Sequence, residues 1–176
     1  LAMALAGYYG CRAPQDPPTT QPAYDGPPAD TLFVYLTGAT SGLFEPCNCP
    51  GSPRGGLSRR QSLLGALRKT SGPGVLLDTG NLLRLQPAEL EDRYMIAGYQ
   101  LLDYDAIGVG DQDISRGPRW MADRSGDGKL PLVASNLSAP GVRVGLAYRW
   151  VSFRGRSVLV LSIVGELAMA ASEAGD

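Results

Sequence analysis

Asp78, Asp111 and Asp113 stand in short polar turns that follow apolar runs, and they are this sequence's main candidates for chemistry. Carboxylates at the carboxyl ends of neighbouring strands offer oxygen ligands to hard cations such as Mg²⁺ or Ca²⁺. Beside Gly80 and Gly110, Asp78 and Asp111 also suit a simpler role, capping turns through side-chain-to-backbone hydrogen bonds, and we take that reading first. The 176 residues contain no histidine. That removes imidazole zinc sites, Ser-His-Asp triads, Cys-His dyads and His-ligated haem.

Other groups have weaker claims. Cys47 and Cys49 form a Cys-x-Cys in a loop rich in proline and glycine, suited to a disulfide, two simple thiols or a redox pair. Zinc would need two further soft ligands, and only Cys11 remains. Arg54, Arg59 and Arg60 flank Gly55 and Gly56 at an expected helix start, a pattern that serves either anion binding or a solvated helix end. No Lys-Ser/Thr follows, so this is not a phosphate loop of the P-loop type. Asp123, Ser125 and Asp127 imitate half a calcium loop, but Ala134 stands where its bidentate glutamate belongs, so a solvated turn is expected.

The elements that must position these residues follow from apolar runs and their breakers. Strands are expected at 31–37, 75–78, 105–109, 132–134, 144–151 and 157–164. Helices are expected at 57–69, from Pro87 to about 102, and briefly around 119–121. Leu57, Leu63, Leu64 and Leu67 make one apolar face of the first helix. This alternation predicts an α/β domain over 31–165 with a mainly parallel sheet and a C-terminal antiparallel strand pair turning at Arg154-Gly155. Residues 166–176 read as a tail.

Sixteen basic and seventeen acidic residues nearly cancel, giving a net charge of -1. That balance does not suit a nucleic-acid backbone binder. Residues 1–11 are apolar but too short to span a bilayer, and residues 12–30 form a proline-rich linker. The pair resembles the start of a bacterial lipoprotein, which implies lipidation at Cys11 and a periplasmic, membrane-anchored location.

In order along the chain, Leu36-Thr37-Gly38, Gly55-Gly56-Leu57-Ser58-Arg59-Arg60, Leu77-Asp78-Thr79-Gly80-Asn81, Tyr104-Asp105-Ala106, Gly110-Asp111-Gln112-Asp113 and Ala134-Ser135-Asn136 carry a resemblance. The series resembles the calcineurin-like metallophosphoesterases, in particular their 5′-nucleotidase branch. The resemblance implies a three-layer α/β half-sandwich, with a two-metal centre for phosphoester hydrolysis. Its ligand positions are changed here: residues 37–40 lack the Asp-x-His, Asn81 replaces the bridging aspartate, and Gln112 replaces the catalytic histidine.

The functional expectation is therefore a non-catalytic accessory subunit with no cofactor and no catalytic residues. It would stabilise a membrane protein complex, such as a respiratory or photosynthetic electron-transfer assembly, and have no nucleic-acid partner. Its partner-binding candidates are Tyr8, Tyr9, Tyr24, Val158 and Val160, because a shortened sandwich leaves an apolar sheet surface to cover. The alternative is a divergent metal-dependent phosphoesterase or nucleotidase using Asp78, Asp111 and Asp113. A third reading is thiol redox work by Cys47 and Cys49.

Overall fold

The computed structural model of the protein describes residues 30–47, 51, 54–125 and 129–165. Tyr8, Tyr9, Cys11, Tyr24, Cys49, the tail and nearly all of the linker lie outside the described residues, as do the expectations placed on them.

Four short parallel strands form the central sheet in the order β1-β2-β3-β4: β1 (Val34–Thr37), β2 (Val75–Asp78), β3 (Ala106–Gly108) and β4 (Leu132–Val133). Helices α1 (Leu57–Thr70) and α2 (Glu89–Leu101) make the crossovers, as parallel pairing requires. Tyr35, Leu76, Ile107 and Leu132 of the sheet join Leu57, Leu64, Met95 and Tyr99 of these helices in one apolar core. Each is at most 8% exposed, so this interface carries most of the hydrophobic stabilisation.

Two short helices, α3 (Asp111–Ile114) and α4 (Pro118–Ala122), lie between β3 and β4. The antiparallel hairpin β5 (Arg149–Phe153) and β6 (Arg156–Val160) turns at Arg154-Gly155, where both residues have positive φ. That matches the tight two-residue turn read from the sequence. After β6 the chain returns to the sheet: Ser135 and Ser162 exchange hydrogen bonds of 2.7 and 2.9 Å, and the Asn136 amide exchanges bonds with the backbone of Val164.

Several details differ from the sequence reading. Only Leu57 and Leu64 of the α1 leucines are buried, whereas Leu63 is 59% exposed, because α1 meets the sheet along a narrow stripe. The second helix begins at Glu89, not Pro87, and α3 is too short for any period to register. On the hairpin, Val158 and Val160 share a face with buried Val151 and are half-buried. The opposite face exposes Trp150 paired with Leu159, followed along the chain by exposed Leu161 and Ile163. The alternation of β6 thus puts its open apolar surface one residue away from the valines named from the sequence. None of the helices among the described residues is long and apolar enough to cross a membrane.

Candidate functional site

Parallel register places Thr37, the last residue of β1, beside Asp78, the last residue of β2. Both belong to the sheet face covered by the helices, because Tyr35 and Leu76, two residues earlier, lie in that core. The first turn of α1 brings Arg60 to the same point, α2 brings Tyr99, and the approach to β3 brings Tyr104. The Thr37 hydroxyl is 2.5 Å from Asp78 Oδ2 and 2.7 Å from the Tyr104 hydroxyl. Arg60 Nη1 reaches Asp78 Oδ2 at 3.1 Å, Tyr99 at 2.6 Å and Tyr104 at 3.2 Å.

The direction of each bond follows from counting protons. Tyr99 donates to Asp78 Oδ2 at 3.1 Å, so Thr40 donates to Tyr99. Thr37 has one proton and gives it to Asp78, so Tyr104 donates to Thr37. Asp78 Oδ2 thus accepts from Thr37, Arg60 and Tyr99, while Oδ1 accepts the Gly80 N–H at 2.8 Å. Three donors thus crowd Oδ2 and one reaches Oδ1, so both carboxylate oxygens face protein donors. Burial, reinforced by Asp78, pushes the Tyr99 hydroxyl far above its usual range, and burial raises Tyr104 as well. Burial works against the Arg60 charge, but Tyr99, Tyr104 and Asp78 together hold its pKa above the ordinary value. The network therefore consists of one cation, one anion and two neutral phenols.

Asp113 is built into a different place. Its side chain accepts the N–H groups of Asn81 at 2.7 Å, Leu83 at 3.1 Å and Gly110 at 3.0 Å, fastening the loop after β2 to α3. The Gly110 contact is the return half of a capping box. Burial lifts its pKa to about 6, opposed by the backbone donors Gly110, Leu83, Asn81 and Leu82. Asn81 sits at φ 56, a left-handed conformation that asparagine tolerates, and its Oδ1 accepts the Gln112 N–H at 3.0 Å. The Oε1 atom of Gln112 is buried with no hydrogen-bond partner among the described residues.

This donor set does not fit the two-metal centre implied by the strand-end motifs. Asp78 and Asp113 spend their oxygens on protein donors, Asn81 offers a neutral amide already in use, and Asp111 lies exposed at the start of α3. No three His, Cys, Asp or Glu side chains come together to hold an ion among the described residues, so Asp78, Asp111 and Asp113 form no ligand cluster. The cysteine loop is only partly within the described residues: Cys47 N–H donates to the Arg54 carbonyl at 2.8 Å, closing its base.

In front of the network lies a cleft of about 790 Å³ whose walls include Thr37, Thr40, Leu43, Gly56, Arg59 and Arg60. It opens at the start of α1, where Gly56 contributes no capping side chain. The helix macrodipole and the arginines give the cleft positive character. Sequence reasoning singled out Arg54, Arg59 and Arg60, as an anion-binding pattern or a solvated helix end, but missed Thr37, Thr40, Tyr99 and Tyr104. Tyr99 has only a weak signal, a phenol on the core-facing side of a helix, where a buried hydroxyl needs a polar partner.

No protein-family model matches the chain, and no curated protein matches it in sequence. Solved structures do. The 5′-nucleotidase precursor from Thermus thermophilus is similar with a TM-score of 0.63 at 24% identity, over 78% of this chain and 29% of that one. The NAD nucleotidase (NadN) of Haemophilus influenzae gives a TM-score of 0.52 at 15% identity, over 77% of this chain and 28% of that one. The chain spans less than a third of the length of either. Its fold is metallophosphoesterase-like, as the strand-end motifs implied. The expectation of a chain with no enzymatic role is corrected by the same finding, because both of these neighbours are nucleotidases by name.

Proposed function

We propose that the chain is a divergent phosphoesterase acting on a small phosphate ester of the nucleotide type, with the phosphoryl group received in the cleft between β1 and α1. The observation that carries this reading is the Thr37–Asp78–Arg60 cluster, set at the carboxyl ends of two parallel strands and opening into that cleft. In open α/β sheets this is the end at which ligands bind. A guanidinium held by a buried carboxylate gives fixed positive charge to meet phosphoryl oxygens, without reorganisation as the reaction proceeds. Thr37 lines the cleft with its hydroxyl proton directed at Asp78, so its oxygen is polarised by that carboxylate. No step is assigned to a metal ion, because the donors at this end of the sheet are committed to the protein.

The substrate class is supported by the nucleotidase neighbours. An exported, periplasmic setting belongs to the same reading and agrees with the word precursor in the name of the first of them. The test is release of phosphate from nucleoside 5′-monophosphates and from p-nitrophenyl phosphate, with and without added Mn²⁺, compared with Thr37→Val. Turnover by the wild type that falls by about a hundredfold or more in Thr37→Val supports the assignment. Turnover no greater than that of the variant under any condition removes it.

A further inference from the structure

Among the described residues, the Arg60 side chain makes all its hydrogen bonds through one nitrogen. Nη1 serves Asp78, Tyr99 and Tyr104, whereas Nε and Nη2 donate to no acceptor among the described residues. A guanidinium carries five N–H donors in a rigid planar fork, so the edge formed by Nε and Nη2 keeps three unused. The side chain is only 15% exposed, and the residue lines the cleft. An arginine so nearly buried in a cleft wall, and tied down through Nη1, has lost most of its conformational freedom before any ligand arrives.

From this we infer that the free edge of Arg60 is an oxyanion receptor, which takes two oxygens of a phosphate side-on in the cleft without any divalent ion. The chemistry fits. A planar fork matches the oxygen spacing of phosphate, and paired charge-assisted bonds are about twice as strong as neutral ones. Asp78 holds Nη1 at 3.1 Å on a side chain with no exposed surface, and with Tyr99 and Tyr104 on the same nitrogen it restricts how the guanidinium can turn. Asp78 therefore acts as a positioning residue for the receptor. The inference deepens the phosphoesterase reading by naming what grips the phosphoryl group, yet it stands on binding alone.

The experiment is equilibrium binding of inorganic phosphate to the purified full chain in excess EDTA, by calorimetry or ³¹P line broadening, in wild type, Arg60→Lys and the surface control Arg68→Gln. Saturable binding that weakens about tenfold or more in Arg60→Lys and is unchanged in Arg68→Gln is expected, since lysine keeps the charge and loses the fork. Equal binding by Arg60→Lys overturns the inference. So does binding that appears only when Mn²⁺ replaces EDTA, and so does no binding in either buffer. Should Arg60→Lys fail to fold, wild-type protein is modified with an arginine-specific dicarbonyl and mapped by mass spectrometry. Phosphate should then protect Arg60, and its failure to do so overturns the inference equally. Phosphate binding without turnover of any ester would leave the receptor standing and remove the phosphoesterase reading, so the two fail separately.

Discussion

Arg60 Nη1 and Asp78 Oδ2 lie 3.1 Å apart, with the Asp78 side chain wholly buried and that of Arg60 nearly so. The pair ties the first turn of α1 to the end of β2, and two tyrosines and a threonine complete its hydrogen bonds. Replacing Asp78 by asparagine keeps the shape but leaves the guanidinium without a counter-charge. Stability should fall by about 3 kcal/mol, the usual cost of orphaning one partner of a buried pair. Urea denaturation measures it, and a loss below about 1 kcal/mol would show that the pair is effectively solvated.

Arg116 and Asp92 form a second buried pair, with side chains 3% and 6% exposed. Arg116 also donates to the carbonyls of Arg84, Leu85 and Gln86, which clamps the stretch leading into α2. Arg116→Met should cost about 3 kcal/mol and speed amide exchange around residues 84–86. If exchange there is unchanged while global stability drops, the clamp is not local.

Asp113 gives a pH dependence whose sign is fixed. Its folded pKa of about 6 lies above the ordinary 3.8, so between these values the folded state holds a proton that the unfolded state has released. The contribution is full below about pH 4 and is lost as pH rises through 6, amounting to roughly 3 kcal/mol at most. The stability of wild type minus that of Asp113→Asn, measured from about pH 4 to 7, should therefore decline with pH. Parallel curves or a rising difference would contradict the assignment.

Gly80 and Gly117 separate two costs of adding a methyl group. Both have positive φ, 96 and 82, but a Cβ at Gly80 would lie 2.5 Å from the Gly110 nitrogen, while one at Gly117 meets nothing within 4 Å. Gly117→Ala should lose about 1 kcal/mol, the conformational cost alone. Gly80→Ala should lose at least about 2 kcal/mol more, because the Asn81–Asp113 loop must move. Equal midpoints in thermal melts would remove the steric argument.

Trp150 and Leu159 face each other on the open side of the hairpin, 58% and 45% exposed. The double substitution Trp150→Ser and Leu159→Ser should leave the stability of the isolated chain within about 1 kcal/mol, since both side chains are largely exposed. It should also raise solubility by shrinking the exposed apolar surface. A loss of several kcal/mol would mean that this face is covered.

Much of the fold was legible because it depends on local pattern. Short apolar runs ending in Asp78 and Gly108, an amphipathic segment closed by Gly72-Pro73-Gly74, and the Arg154-Gly155 turn each report their own conformation. The strand-end motifs carried the fold assignment for the same reason. The helix α3 escaped because four residues hold no period, and the α1 stripe was drawn too wide because periodicity does not say how much of a face meets the sheet.

The site was legible only in pieces. Composition alone determined that no imidazole takes part, while the glycines and arginines of residues 54–60 fitted anion binding and a solvated helix end alike. The sequence reading of Asp78 set a turn cap, taken first, against a metal ligand, and pairing with a cation was not among its readings. Tertiary structure decided it by bringing Arg60, Tyr99 and Thr37 to its oxygens from three separate elements while its own loop supplied Gly80. A carboxylate accepts whichever donors are brought to it, and which ones arrive is fixed by the packing of helices on a sheet.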